Sequence, residues 1–424
     1  MLQKPKNAIY QAFRRSESFF KTDMVYLAKG SFWFSFAQVI VSLSSFALAV
    51  AFAHFVNKEA YGQYKYILSL AGLLGTFTLT GLPPAVLRSI TKGYEGSLSH
   101  AFWKNIKWST LLFIAALSMS GYYFAHGNSS LGISLLLVGS LWPWFQSSNL
   151  YNSYLISKKD FKRNAIYFDI IGNLFPIACL LVAMSITANP VWLVAVYLAS
   201  NTFIGLIMYR KVVTFYKPKG EIDPEMLGYS KHLSLMNIVT GIAANLDQVL
   251  IFHYIGAAEL AIYNFAIAIP NQTKGPLKGL RNLIFPKFIE RSDKEIKAGI
   301  GRKFLMLFAL GLAITVVYIA LAPYIYKIFF PKYLDAVFYS QIFALSILSI
   351  TFSPADIYLA AKKKIGEQYI LNVTMSVIQI IVVAIAVIFW GLFGLIVARV
   401  VLRLITSILS FFIYRHSIRL AISQ

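Results

Sequence analysis

The stretch GLFGLIVARVVLRLITSILSFFIY, residues 391–414, is a predominantly apolar run of 24 residues that contains two arginines. A helix of about 20 mostly apolar residues can cross a bilayer, so this run predicts a membrane span. Arg399 and Arg403 stand four residues apart and therefore share one face of the predicted helix. Charges inside a bilayer are costly and rarely face lipid, so these arginines require a partner or a function.

The composition of the whole chain indicates a membrane protein. Of its 424 residues, 58% are hydrophobic and 13% are charged, and the mean hydropathy is +0.65. A soluble protein could not cover its surface with so little charge. The single cysteine, Cys179, excludes an intrachain disulfide and leaves the compartment open.

Apolar runs of sufficient length recur along the chain and predict twelve spans. Their approximate bounds are 30–54, 62–87, 105–125, 131–156, 164–187, 190–210, 228–255, 258–285, 303–323, 335–361, 367–389 and 391–414. Residues 1–29 carry six Lys/Arg, and the apolar run after them is too long for the core of a cleavable signal peptide. This segment is interpreted as a basic cytoplasmic arm, with an interfacial helix at 9–20, before a retained first span.

The distribution of lysine and arginine predicts the orientation in the membrane. With the N-terminus in the cytoplasm, the cytoplasmic segments hold 32 of these residues, the outer segments hold 4, and three lie within spans. This excess follows the positive-inside rule and predicts that both termini are cytoplasmic. The formal net charge of +22 is therefore explained without a nucleic-acid partner.

Matching segments at a nearly constant offset divide the chain into two halves. HFVNKEAYGQYKY at 54–66 matches HYIGAAELAIYNF at 253–265 with an offset of 199, and YLISKKDF at 154–161 matches YLAAKKKI at 358–365 with an offset of 204. An even number of predicted spans separates the copies, so both have the same orientation. Many transporters have this plan, with the substrate site between the halves.

These observations predict an all-α polytopic membrane protein. Its twelve transmembrane helices would form two pseudo-symmetric six-helix lobes around a central cavity. The arm and spans one to six form the first lobe, residues 1–217, and spans seven to twelve form the second, residues 218–424. The polar, basic stretch at 211–226 has two prolines and is interpreted as the link between the lobes.

The chain resembles the Wzx-type flippases in the oligosaccharide-lipid branch of the multidrug/oligosaccharidyl-lipid/polysaccharide exporter (MOP) superfamily. The residues that carry the resemblance lie in EAYGQYKYILSLAGLLGTFTLTGLPPAVLR (59–88) and NLDQVLIFHYIGAAELAIYNFAIAIP (245–270), and include Gly62, Tyr64, Gly81, Arg88, Asp247, Gly256 and Tyr263. The resemblance implies alternating-access transport of polyprenyl-pyrophosphate-linked oligosaccharide repeat units. They would pass from the cytoplasmic to the outer face of the bacterial inner membrane, for O-antigen, capsule or exopolysaccharide synthesis.

The expected partners are this lipid-linked substrate, membrane lipids, a polysaccharide polymerase and a chain-length regulator. Two alternatives stay open: a cation-coupled multidrug exporter of the same superfamily, and a polytopic enzyme or assembly component of envelope polysaccharide synthesis. The sequence lacks a Gly-x-x-x-x-Gly-Lys-Ser/Thr loop, His-Glu-x-x-His spacing and any visible catalytic constellation. We therefore predict a transporter without catalytic residues, metal or cofactor. The energy source could be a proton or sodium gradient, the membrane potential, or consumption of the unit outside.

Ionisable residues deep in the predicted spans are the first candidate site. Arg399 and Arg403 would lie about 12 and 18 Å below the outer end of their helix, at 1.5 Å per residue. A planar, permanently charged guanidinium suits a diphosphate, although a structural ion pair is the alternative. Asp247 has a similar predicted depth, so it could pair with an arginine, bind a coupling cation, or serve span packing.

A second candidate group lies on the eighth predicted span, in PNQTKGP at 270–276. Lys274, with the preceding Asn271 and Gln272, is a candidate contact for phosphate or sugar. Two prolines in one span suggest a kinked helix that lines a cavity. The alternative is a local hinge.

Four more ionisable residues lie nearer the cytoplasmic ends of predicted spans. Arg88 and Arg281 are candidate substrate contacts, and Asp169 and Asp356 are candidate coupling or ion-pair residues. For all four, positive-inside charge and pairing at the interface is the simpler interpretation. The deep charges of the second half have uncharged counterparts in the first half of the repeat, namely Leu48, Gly75, Val194 and Leu198. An asymmetric ligand would explain this difference.

Overall fold

The computed structural model describes residues 24–272, 293–361 and 365–423. Within these ranges all regular structure is helical. The α-helices are α1 (Met24–Phe55), α2 (Lys58–Gly75), α3 (Leu82–Thr91), α4 (Ser97–Trp108), α5 (Thr110–Ala125), α6 (Ser129–Ser148), α7 (Leu150–Ser157), α8 (Phe161–Asn164), α9 (Gly172–Ile186), α10 (Pro190–Tyr216), α11 (Met226–Tyr254), α12 (Ala257–Gln272), α13 (Asp293–Phe329), α14 (Ala336–Ala344), α15 (Ser353–Ala361) and α16 (Ile365–Ser423). A π-helix (Ala165–Ile171) and two 3-10 helices (Pro331–Tyr333 and Leu345–Phe352) lie between them. The predicted interfacial helix at 9–20 lies outside the described residues.

Eight helical stretches in the described ranges are long and apolar enough to cross a membrane. They are Trp33–Phe55, Ser97–Ala125, Phe161–Ile186, Pro190–Tyr216, Met226–Tyr254, Phe304–Phe329, Ala336–Leu359 and Leu371–Arg419. The chain is therefore a multi-pass, all-α membrane protein, as its composition predicts. The number twelve stays a prediction.

The last of these stretches contains a reversal of the chain. α16 leaves helical geometry at Gly391, where φ is 59°. Before this point, Gln379 donates a hydrogen bond to the Ala243 carbonyl of α11 at 2.5 Å. After it, Arg399 pairs with Asp247, one turn further along α11. Both arms of α16 thus lie beside the same part of α11, so the chain turns back at the predicted boundary between the last two spans.

Several predicted spans are not single α-helices, among them 62–87 and 131–156. The first is divided into α2 and α3, and the second into α6 and α7. Between α2 and α3, the hydroxyl of Thr78 bonds back to a carbonyl three residues earlier, at 2.7 Å, which competes with helical bonding. A side chain at Gly81 would lie 2.4 Å from the Ser230 carbonyl oxygen of α11. This turn therefore requires glycine where the chain meets α11.

The two halves of the chain share a hydrophobic core at one end of the bundle. Following the predicted orientation, we call the end that holds Phe55, Tyr254 and Gly391 the outer end. Here buried residues of both halves form one cluster, which includes Phe52, Tyr61, Phe265, Phe330 and Tyr333. At the cytoplasmic end, the described residues form one cluster on the first half and the start of α11, and a second on the second half. In the described part of the chain, the halves thus share a large core at the outer end, whereas at the cytoplasmic end the start of α11 packs on the first half and α15 and α16 form a cluster of their own.

Candidate functional site

A buried ion pair joins α16 to α11. Nη2 of Arg399 lies 3.2 Å from Oδ2 of Asp247, and the two side chains are 21% and 3% exposed. Asp247 stands seven residues before the end of α11 at Tyr254, and Arg399 stands eight residues after Gly391. Both therefore lie about 10–12 Å from the outer end at 1.5 Å per residue. The attraction between two charges is stronger away from water, although both lose hydration there, and losing one partner leaves a costly buried charge.

A third helix holds the same carboxylate. Tyr263 of α12 is fully buried and donates its hydroxyl to Oδ2 of Asp247. The N–H of Gln248 donates to Oδ1 at 3.0 Å. Both carboxylate oxygens therefore accept hydrogen bonds, as a buried charge requires. Together Asp247, Tyr263 and Arg399 connect α11, α12 and α16.

Arg403 stands one turn from Arg399 on the same face of α16, which we call the arginine face. Its Nη1 donates to the Ser346 hydroxyl at 2.8 Å, and its Nη2 donates to the Asn271 side-chain oxygen at 3.3 Å. Its guanidinium lies 4.8 Å from the ring centre of Phe343. These partners are neutral, and Arg403 forms no ion pair with any described residue. Its positive charge is therefore not compensated by an acid in this part of the chain.

Sequence reasoning missed several residues around the arginine face. Ser346 and Phe343 contact Arg403, and no local pattern distinguishes them from other residues of an apolar run. Tyr263 was named for the family resemblance but not as a site residue. Gln379 offered a signal, because an amide inside VIQIIVV (377–383) is as unusual as a charge.

Other predicted site residues lie away from the arginine face or outside the described ranges. Asp169 is on the π-helix of the first half, and its Oδ2 is buried without a hydrogen-bond partner among the described residues. Asp356 is in α15 and accepts a hydrogen bond from Ser410. Gln272 is the exposed last residue of α12, next to Asn271. The predicted contacts outside the described residues are Lys274 and Arg281.

Arg88 lies at the cytoplasmic end, where the linker of the two halves meets α3. Its Nη2 is 3.3 Å from a carboxylate oxygen of Glu225, and its guanidinium lies over the ring of Tyr229. In the same linker, Asp223 accepts a hydrogen bond from the Ser89 hydroxyl at 2.7 Å. Burial opposes ionisation of Asp223, but the bonds from Ser89 and from the Glu225 N–H, with Lys92 and Arg88 nearby, lower its pKa below the ordinary range. These contacts fix the start of α11 against α3.

Polar contacts between the halves close the outer end above the arginine face. Nζ of Lys58 lies 2.7 Å from Oδ2 of Asp335, and Nζ of Lys332 donates to the His54 carbonyl at 2.7 Å. An added Cβ at Gly62 would lie 1.8 Å from the carbonyl oxygen of Ala257 at the start of α12. We call these contacts and the shared aromatic core beneath them the outer seal.

Comparison with known families identifies the chain. Residues 27–271, more than half of its length, match the family described as polysaccharide biosynthesis protein. The chain belongs to this family. A comparison with curated proteins found no significant match.

Solved structures of MOP-superfamily transporters share the fold. An inward-facing multidrug resistance MATE family transporter superposes with a TM-score of 0.67 at 13% identity, over 92% of this chain and 99% of that one. An outward-facing one gives 0.64 at 15% identity, over 94% and 96%. A MOP-superfamily transporter from Pyrococcus furiosus, for which a pocket of reversed polarity suggests a different function, gives 0.63 at 14% identity, over 93% and 96%. The family match confirms the predicted link to polysaccharide biosynthesis, and these structures confirm the predicted transporter fold.

Proposed function

We propose that the protein is a flippase for polyprenyl-pyrophosphate-linked oligosaccharide repeat units. It would move them by alternating access from the cytoplasmic to the outer face of the bacterial inner membrane, with both termini in the cytoplasm. The product would enter O-antigen, capsule or exopolysaccharide synthesis, where a polymerase and a chain-length regulator act on it. The lipid tail would stay in the bilayer while the head group passes between the halves.

The arginine face is the observation that carries this proposal. Arg399 and Arg403 lie deep in a membrane-spanning helix, and only Arg399 has an acidic partner among the described residues. Together with Asp247, the group keeps one net positive charge. Such a site favours an anionic head group, and arginine binds phosphate oxygens through a planar fork of N–H donors.

The arrangement of the cores supports loading from the cytoplasm. The outer seal joins the halves above the arginine face, whereas at the described cytoplasmic end the cluster of the first half and the start of α11 is separate from the cluster of α15 and α16. A substrate made on the cytoplasmic side would enter between these ends. Cations at the middle of the membrane would then lower the barrier for the diphosphate.

A flipping assay in proteoliposomes tests the function. The Arg399→Ala/Arg403→Ala protein should lose transport by about two orders of magnitude, since a buried charge contact to a ligand contributes several kcal/mol. Arg415→Ala is the matched control, because Arg415 is an exposed arginine of the same helix, three turns away. Unchanged transport by the double arginine variant, when it is well inserted in the membrane, would contradict the proposal.

The multidrug exporter alternative has a separate test in the same vesicles. A cationic drug would require an acidic site, but the carboxylate of Asp247 is neutralised by Arg399. We expect that cationic drugs are not moved. Drug export that persists in the double arginine variant, without flipping of the lipid-linked unit by the wild type, would assign the chain to multidrug export.

A further inference from the structure

The two arginines of the arginine face differ in what they bind. Arg399 has an anionic partner, the Asp247 carboxylate, at 3.2 Å. Arg403 has neutral partners, the Ser346 hydroxyl at 2.8 Å and the Asn271 oxygen at 3.3 Å. An incoming anion therefore meets one guanidinium that an acid neutralises and one that no described acid neutralises.

A phosphate oxygen and a carboxylate oxygen compete for the same donors. The guanidinium offers its N–H groups in a planar fork, and Oδ2 of Asp247 lies against Nη2 of Arg399. Side chains four residues apart on a helix are neighbours, so one diphosphate can reach both arginines. To bind Arg399 fully, the diphosphate has to replace the carboxylate oxygen of Asp247.

The carboxylate keeps other hydrogen bonds when Arg399 is taken from it. The Tyr263 hydroxyl and the Gln248 N–H both donate to Asp247, and the Tyr263 hydroxyl also has a hydrogen bond with the Arg399 guanidinium. A buried carboxylate without partners would be very costly, and these two bonds reduce that cost. Tyr263 is fully buried, so its hydroxyl supports Asp247 and does not line the space between the halves.

We propose that Asp247 is an internal competitor of the substrate's pyrophosphate. It holds Arg399 when no substrate is bound, and it is displaced when a pyrophosphate first bound by Arg403 reaches Arg399. This inference rests on the proposed function and deepens it. The competition limits the affinity for pyrophosphate, so that the head group is released at the outer face. A neutral group that does not reach Arg399 leaves the ion pair intact, which makes Asp247 a specificity-determining residue.

Calorimetric titration of the full-length protein in lipid nanodiscs, with inorganic pyrophosphate as the probe, tests this exchange. Asp247→Asn removes the competing charge at constant size and should tighten binding about tenfold. In an Arg399→Gln background, Asp247→Asn should leave the affinity for pyrophosphate unchanged, because the carboxylate and the pyrophosphate compete for Arg399. Tyr263→Phe should act in the opposite direction and weaken binding several-fold, since Asp247 then depends more strongly on Arg399.

Tyr318→Phe is the matched control for the tyrosine variant. It removes another buried hydroxyl of the second half, which bonds to Ser340 at 2.5 Å, and it should leave the affinity unchanged. If Asp247→Asn does not fold, the opposite effect expected for Tyr263→Phe still tests the exchange.

Two results overturn the exchange and leave the proposed function standing. The first is pyrophosphate binding that is unchanged or weaker in Asp247→Asn. The second is pyrophosphate binding that is unchanged in Tyr263→Phe. Both apply when Arg403→Gln still abolishes the binding. Pyrophosphate binding that is insensitive to both arginines overturns the proposed function and the exchange together.

Polyprenyl pyrophosphate in the nanodisc should compete with the inorganic probe. Binding of the probe without this competition would overturn the lipid-linked source of the anion.

Discussion

Lys58 and Asp335 form an ion pair of 2.7 Å that joins the first half of the chain to the second at the outer end. Lys58 begins α2, and Asp335 immediately precedes α14. Their side chains are 27% and 68% exposed, so water and salt weaken the attraction and the pair can open at little cost. In the proposed transport cycle this contact has to separate before the substrate leaves.

A covalent link across this pair should stop transport. Lys58→Cys/Asp335→Cys, joined by a short bismaleimide, prevents the halves from separating at the outer end, and the flipping assay should then show no transport. Only Cys179→Ser is needed to remove the native thiol, since Cys179 is the single cysteine. Glu95→Cys/Lys158→Cys links an ion pair within the first half and should leave transport intact. Full activity of the linked outer pair would contradict alternating access at this seal.

Gly62 should be required for closure of the outer seal. An added Cβ would lie 1.8 Å from the Ala257 carbonyl, so Gly62→Ala forces α2 and α12 apart. Overpacking of this kind costs about 1–3 kcal/mol, and transport should fall about tenfold. A cysteine at the buried position Phe330 should also react faster with an impermeant thiol reagent added outside, in a Cys179→Ser background. Gly228→Ala is the control, because no atom lies within 4 Å of its added Cβ; an equal loss there would refute the packing argument.

Asp223 should make the stability depend on pH. Its folded-state pKa is lowered, so its contribution is fully present above the unfolded-state pKa and is lost as the pH falls through the folded-state pKa. Asp223→Asn should lower the melting temperature by a few degrees at neutral pH. The difference from the wild type should vanish at acidic pH, where the native carboxylate is protonated. Glu221→Gln, an exposed acid of the same linker, should show neither effect; a difference that persists at acidic pH would contradict the assignment.

Asp169 should destabilise the folded protein. Its Oδ2 is buried without a hydrogen-bond partner among the described residues, and an ionised group in that position is unfavourable. Asp169→Asn should raise the melting temperature in detergent by a few degrees. Asp160→Asn should lower it, because the Asp160 carboxylate accepts the Tyr216 hydroxyl at 2.5 Å and pairs with Arg163. A lower melting temperature for both variants would show that Asp169 has a stabilising partner.

Features set by local sequence could be predicted. The apolar run at 391–414 begins at Gly391, where the chain reverses, because about 20 apolar residues suffice for one crossing and glycine readily adopts the positive φ of the turn. The depths of Arg399 and Asp247 follow from counting residues along two such helices. Their pairing is one of three alternatives that the sequence leaves open for Asp247, and the structure shows it as a contact of 3.2 Å.

Features set by contacts between distant segments could not be predicted. The break between α2 and α3 depends on the close approach of Gly81 to Ser230, which is 149 residues away in the chain. The partners of Arg403 depend on how a 3-10 helix at Leu345–Phe352 and the end of α12 meet α16. A hydrophobicity pattern records which residues avoid water, but not which of them touch each other.

The surfaces between the two cytoplasmic clusters have to be compatible with two different environments. In the proposed cycle these surfaces face water in one state and protein in the other. Gln38 of α1 illustrates a polar side chain that needs no partner from another helix: it is exposed and donates to the Ser42 hydroxyl of its own helix at 3.3 Å. A side chain of this kind, on a surface between the clusters, is compatible both with water and with contact to protein. Substitutions at such a position are restricted by whichever of the two states tolerates them less. A single conformation therefore shows only part of this restriction.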